Sequence, residues 1–145
     1  MRVWVAALAL AAAGCGSKPA MPYPSTYTLP GTVGQIMMGQ SVSGQLSLGD
    51  PRLPDNSVYQ AWTYIGARGQ RIRIDVTSSA FDAYAILQDA SNKALSHDDD
   101  SGGGTDARIV FTLPAAGAYR IVVNTYRQGA YGPYTLTVRE VAGGK

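Results

Sequence analysis

Between Gln40 and Val138, apolar residues recur at every second position in short runs. Val42, Leu46 and Leu48 share one parity, and Trp62 and Tyr64 fall on one face of the run Val58 to Ile65. Ile72, Ile74 and Val76 alternate with Arg71, Arg73 and Asp75, the pattern of a half-buried strand. Ala83 to Gln88 is more uniformly apolar, as expected of a central strand covered on both faces. Ile109, Phe111 and Leu113 alternate again, followed by Tyr119, Ile121 and Val123, and then by Tyr134, Leu136 and Val138. Turn-forming residues punctuate these runs at 66–69, 89–93, 114–117 and 129–133. Ala94 to Ser96 reads as a short strand, and His97 to Asp106 as a polar, glycine-rich loop. Seven to eight strands at this spacing predict an all-β chain folded as an antiparallel β-sandwich. The alternating residues form an inward set large enough for a core that needs no disulfide.

The N-terminus follows a different pattern. Met1-Arg2 is a short basic start, and Val3 to Ala13 contains no polar residue. That run is too short for a membrane-spanning helix, which needs about 20 apolar residues. It has the length of a signal-peptide core, about 7–15 residues. It leads into Ala12-Ala13-Gly14-Cys15, which resembles the lipobox of bacterial lipoproteins, although that motif prefers Leu where Ala12 stands. The resemblance implies cleavage before Cys15, a diacylglycerol thioether on its sulfur, and a further acyl chain such as palmitate on the freed amine. Two or more chains give stable anchoring, at about 0.8 kcal/mol per buried CH2. Gly16, rather than Asp, follows the cysteine, which resembles outer-membrane sorting if the host is a diderm. The expected organisation is a signal peptide over 1–14, a lipidated Cys15 with a tether over 15–38, a domain over 39–140 and a tail over 141–145. Pro19, Pro22, Pro24 and Pro30 make the tether semi-extended.

Composition narrows the class. Seventeen glycines, eight prolines and nine tyrosines in 145 residues suit strands and turns. The formal charge is +2, and loss of Arg2 lowers it further. The basic residues are scattered, which argues against nucleic acid as a partner. A lone cysteine excludes an internal disulfide.

From about Gly39 to Val138 the order of features resembles the bacterial pre-peptidase C-terminal domain family. The matching pieces begin with Gly39-Gln40-Ser41-Val42-Ser43-Gly44-Gln45-Leu46, Trp62-Thr63-Tyr64 and Gly69-Gln70-Arg71-Ile72-Arg73-Ile74. They continue with Ser79-Ala80-Phe81-Asp82-Ala83-Tyr84, His97-Asp98-Asp99-Asp100, Leu113 to Ile121, and Gly132-Pro133-Tyr134-Thr135-Leu136. The resemblance implies a jelly-roll-like β-sandwich and a non-catalytic module that accompanies exported enzymes. It also implies calcium and collagen binding in some relatives. Ala61 stands where the family often has Asp, and the domain is expected to stand without an attached peptidase.

Three constellations carry candidate chemistry. Asp98, Asp99, Asp100 and Asp106 lie on a flexible loop, and Asp82 joins them if its strand packs alongside. Hard oxygens on such a loop suit Ca2+, which takes 6–8 oxygen ligands. The same composition also suits a solvated loop or carboxylates capping loop amides. Tyr126, Arg127 and Tyr131 surround what reads as the last hairpin, off the inward period, and have the composition of a binding face for an envelope protein or a glycan. His97, the sole histidine, has Ser96 and Ser101 nearby, yet sequence neighbours rarely form a catalytic triad. No Gly-x-Ser-x-Gly elbow occurs. The expectation is a lipid-anchored, non-catalytic binding module of the cell envelope, with no catalytic residues. A small exported hydrolase or an accessory subunit of a secreted peptidase is the alternative.

Overall fold

A computed structural model describes residues 29–142. Nine strands form in chain order: β1 Gly34–Gln35, β2 Ser41–Leu46, β3 Tyr59–Gly66, β4 Arg71–Thr77, β5 Ala83–Asp89, β6 Ala94–Asp98, β7 Ala107–Thr112, β8 Gly117–Thr125 and β9 Gly132–Glu140. They make a five-stranded sheet, β1-β3-β8-β5-β6, and a four-stranded sheet, β2-β9-β4-β7. Every pairing is antiparallel except β1 with β3. The fold is therefore the expected β-sandwich.

The period-2 pattern explains the core. Ile72, Ile74 and Val76 of β4, Leu136 and Val138 of β9, Ile109 of β7 and Leu46 of β2 point inward from one sheet and are buried. Tyr64 of β3, Tyr119, Ile121 and Val123 of β8, and Ala83, Ala85 and Leu87 of β5 face them from the other. A hydrogen-bonded bridge crosses between the layers. Trp62 Nε1 donates to Tyr134 Oη at 2.9 Å, and that hydroxyl donates to Gln60 Oε1 at 2.7 Å. Gly44 lies directly opposite Tyr134, and a Cβ there would run into the phenol ring.

The structure departs from the expectations in several places. The domain starts before residue 39. Leu29 is buried, and Ile36 is wholly buried within the core cluster. Val33 N donates to Ala61 O at 2.7 Å, and Ile36 N to Thr63 O at 2.9 Å, so residues 29–38 form a strap along the edge of β3. That part of the expected tether is folded because its apolar side chains have a sheet to bury against. The ninth strand, β1, arises from the same contact. Leu48 lies beyond the end of β2 and is exposed, and Phe111 is only half-buried. His97 and Asp98 lie in β6 rather than in a loop, because β6 pairs with β5 as far as Ala85↔Asp98. The last turn is not a hairpin turn, since β8 and β9 belong to different sheets.

Candidate functional site

The outer face of the five-stranded sheet carries an aromatic group of Tyr84, His97 and Tyr126. Ala83, Ala85 and Leu87 take the core side of β5, so Tyr84 and Ile86 project outward. His97 is the register partner of Ile86 and shares that face. The Tyr84 and His97 rings stack with centroids 5.8 Å apart and planes 27° apart. The Tyr84 hydroxyl lies 3.1 Å from His97 Nδ1. Tyr126 follows the end of β8, where its N–H donates to Asp82 O at 2.8 Å. Its ring centre is 6.3 Å from that of Tyr84.

The connection 126–131 is held rather than loose. Thr125 Oγ1 donates to Arg127 O at 2.7 Å, and Gln128 Nε2 to Asp55 O at 3.4 Å. Tyr126 is 53% exposed and Tyr131 is 51% exposed, and Arg127 is also exposed. The three residues read from the sequence as a binding face are thus at the surface. Tyr119 and Tyr134, which fall on the inward period, are buried. Burial pushes both phenols above their ordinary range.

The five candidate calcium ligands separate. Asp98, Asp99 and Asp100 each offer an oxygen within 4.8 Å of the others. Asp98 is already engaged, because Ser101 N and Ser101 Oγ donate to it at 2.8 and 2.5 Å and Arg108 N at 2.9 Å. Burial alone would raise the Asp98 carboxyl, yet these donors together hold it below its ordinary value. Asp106 and Asp82 stand outside that group. Asp106 Oδ1 accepts from Ser78 N at 3.3 Å and lines a hydroxyl-rich cavity of about 480 Å3 with Ser43, Thr77, Ser79 and Thr135. The carboxylate oxygens of three consecutive residues fit part of a shell of 6–8 oxygens.

The hydrolase alternative does not assemble around His97. Its Nδ1 faces Tyr84, Ser101 Oγ bonds Asp98, and Ser96 is the partner of core-facing Leu87 on the opposite side of the strand. Tyr84 was missed because the run Ala83 to Gln88 reads as apolar on both faces. The signal that would have found it is its parity, opposite to that of Ala83, Ala85 and Leu87. Cys15 lies outside the described residues.

Fold and site together define an all-β sandwich module that presents aromatic side chains at one end. Residues 59–125 match the Bacterial pre-peptidase C-terminal domain, a span running from β3 to β8. Those residues thus resemble a domain of that family. Domains of this family are non-catalytic modules, often of secreted peptidases. A probable subtilase-type serine protease of Deinococcus radiodurans is 30% identical over 112 residues, covering 74% of this chain. The chain spans 14% of that protein's length. Among solved structures, the pre-peptidase C-terminal domain of a collagenase from Bacillus anthracis superposes with a TM-score of 0.55 at 20% identity, covering 72% of this chain and 91% of that one. A periplasmic inhibitor of g-type lysozyme from Aeromonas hydrophila gives 0.51 at 19% identity, covering 70% and 85%. Both likenesses concern the fold.

Proposed function

We propose that this chain is a lipid-anchored, non-catalytic binding module of the cell envelope, at the outer membrane in a diderm host. The observation that carries the reading is the pair of large aromatic rings, Tyr126 and Tyr131, half-exposed beside Arg127 on a pinned connection. Tyr and Arg in such settings dominate binding energy at interfaces. The anchor is Cys15, with diacylglycerol and an acyl chain, ahead of Leu29 of the strap with thirteen residues, 16–28, between them. The intervening residues reach at most roughly 50 Å when extended, which bounds how far the domain stands from the bilayer. The partner is an envelope protein or glycan.

Pull-down from envelope extracts tests this with the full chain and with Tyr126→Ala and Tyr131→Ala. A specific partner lost in the variants supports the reading, and no specific partner in any of the three overturns it. Palmitate labelling tests the anchor separately, and Cys15→Ser should abolish it. The similarity to a subtilase-type protease favours one further reading, an accessory subunit of an exported peptidase. Co-purification of a peptidase with the full chain would support it.

A structural Ca2+ at Asp98, Asp99 and Asp100 belongs to the same proposal. An ion at 100 times its Kd stabilises by about 2.7 kcal/mol, so a thermal melt with Ca2+ against chelator decides. An unchanged melting temperature removes calcium from the account.

A further inference from the structure

We infer that the outer face of the five-stranded sheet at Tyr84, His97 and Tyr126 binds a basic side chain, lysine or arginine, on an exposed segment of a partner protein. This rests on the binding-module reading, taken in its calcium-free form, and names the partner's chemistry and two further residues, Tyr84 and His97.

Three observations converge. First, the rings form one contiguous surface. Tyr84 lies between His97 and Tyr126, with centroids 5.8 and 6.3 Å away. The contact from the Tyr84 hydroxyl to His97 Nδ1, at 3.1 Å, orients the phenol before any ligand arrives. Second, the surface is open. Tyr126 is 53% exposed, His97 is exposed and Tyr84 is half-buried. Third, the surroundings are negative. After burial, the carboxylates of Asp99, Asp55 and Asp98, together with Tyr126, push the Tyr84 phenol above its ordinary range. Asp99 and Asp55 come from different loops, with Asp55 tied to the 126–131 connection through Gln128, so more than one segment contributes negative charge, against which Arg127 after Tyr126 is the one basic residue of that connection.

Aromatic faces attract cations electrostatically when the charge sits within about 6 Å of the ring centre. Carboxylates at the rim add to that attraction and select against anions and neutral polymers. A lysine or arginine also has an aliphatic stem that packs against the rings while its head meets the carboxylates. Ile86, outward on β5 and paired with His97, extends the apolar floor for that stem.

The test titrates the full chain in detergent, with chelator present, against hexalysine and hexaserine peptides. Hexalysine should bind and hexaserine should not. Tyr84→Ala and Tyr126→Ala should each weaken hexalysine by about two- to fivefold, the value of one cation–ring contact at an exposed site. Tyr84→Phe keeps the ring and should retain most of the affinity, which separates a lost contact from a disturbed strand. Asp99→Asn should weaken binding and flatten its salt dependence. Val110→Ser, on the opposite sheet, should change nothing. Equal binding of hexaserine overturns the inference, as does hexalysine binding that depends on Asp99 but on neither ring. If hexalysine fails while an envelope partner is still lost with Tyr126→Ala and Tyr131→Ala, the inference falls and the binding-module reading stands. If neither binds, both fall.

Discussion

Replacing Ile36 tests whether the strap is part of the fold. Ile36 has no exposed surface and packs in the main core cluster. Truncating a fully buried isoleucine to alanine costs about 2–5 kcal/mol, combining lost transfer energy with the cavity left behind. A domain of this size has about 5–15 kcal/mol in all, so one substitution consumes a large share. Thr63→Val provides a second, polar probe of the same strap. Thr63 Oγ1 accepts from the buried Leu29 N–H at 2.6 Å and lies 3.1 Å from Thr32 Oγ1. Valine fills the same volume but leaves that N–H without its acceptor, at about 1–3 kcal/mol. Urea unfolding of the full chain reads both variants, with the midpoint falling and the slope unchanged. A chain beginning at Gly39 loses Ile36, the Thr63 contact and the β1 ladder together, and should be unfolded or nearly so in water. If it unfolds at the same urea concentration as a chain beginning at Leu29, the strap contributes nothing and the domain begins where the alternating pattern begins.

Three further outcomes follow from other parts of the sandwich. Asp75 is buried on the outer side of β4 and accepts from Arg73 Nε at 2.9 Å and Arg108 Nε at 2.6 Å, so Asp75→Ala should cost about 1–3 kcal/mol by thermal melt, with the wild-type advantage shrinking at high salt. Gly44→Ala should cost about 1–3 kcal/mol, because the added methyl meets the Tyr134 ring, and an unchanged melting temperature would show that the two strands can part there. Asp98 is held below its ordinary value of 3.8 although its burial acts the other way, and Asp89 is held low by Ser91 and the Lys93 N–H. Groups depressed in the folded state stabilise above their unfolded pKa and lose that contribution as pH falls through the folded value, so stability should hold down to about pH 4 and decline below it; Asp98→Asn should flatten that decline in melts taken across this range.

The parts of this fold visible in the sequence are those where burial alone sets the pattern. β4 is legible because Ile72, Ile74 and Val76 face a core while Arg71 and Arg73 face water, so the two environments write period 2 directly. β1 is not, because Gly34 and Gln35 have no pattern of their own and become a strand only through β3. The pairing of strands is equally hidden. Only β5 and β6 are both consecutive in the chain and hydrogen-bonded, while every other connection crosses between the sheets. Tyr126 and Tyr131 were recognisable because they lie outside any strand, where nothing but solvent explains a large ring.

Tyr84 and the strap share a reason for escaping notice, and it bears on function. Tyr84 and the 29–32 end of the strap use the outer face of the five-stranded sheet, which a sandwich ordinarily leaves to solvent and to polar residues. On β8 that face carries Ala118, Val122 and Asn124, all buried, so it is not written as a solvated surface. The strap reaches it at the Thr63–Arg120 pair, where Arg120 Nη2 donates to Pro30 O at 2.5 Å. The aromatic group lies at the Asn124–Tyr84 pair, four residues further along β8, which at about 3.3 Å per residue is roughly 13 Å away. Pro30 and the proposed binding surface therefore lie at separate ends of one sheet face. The two are joined through β8, so substitutions that release the strap should alter partner binding as well as stability, whereas Asp75 and Gly44, on the other sheet, should affect stability alone.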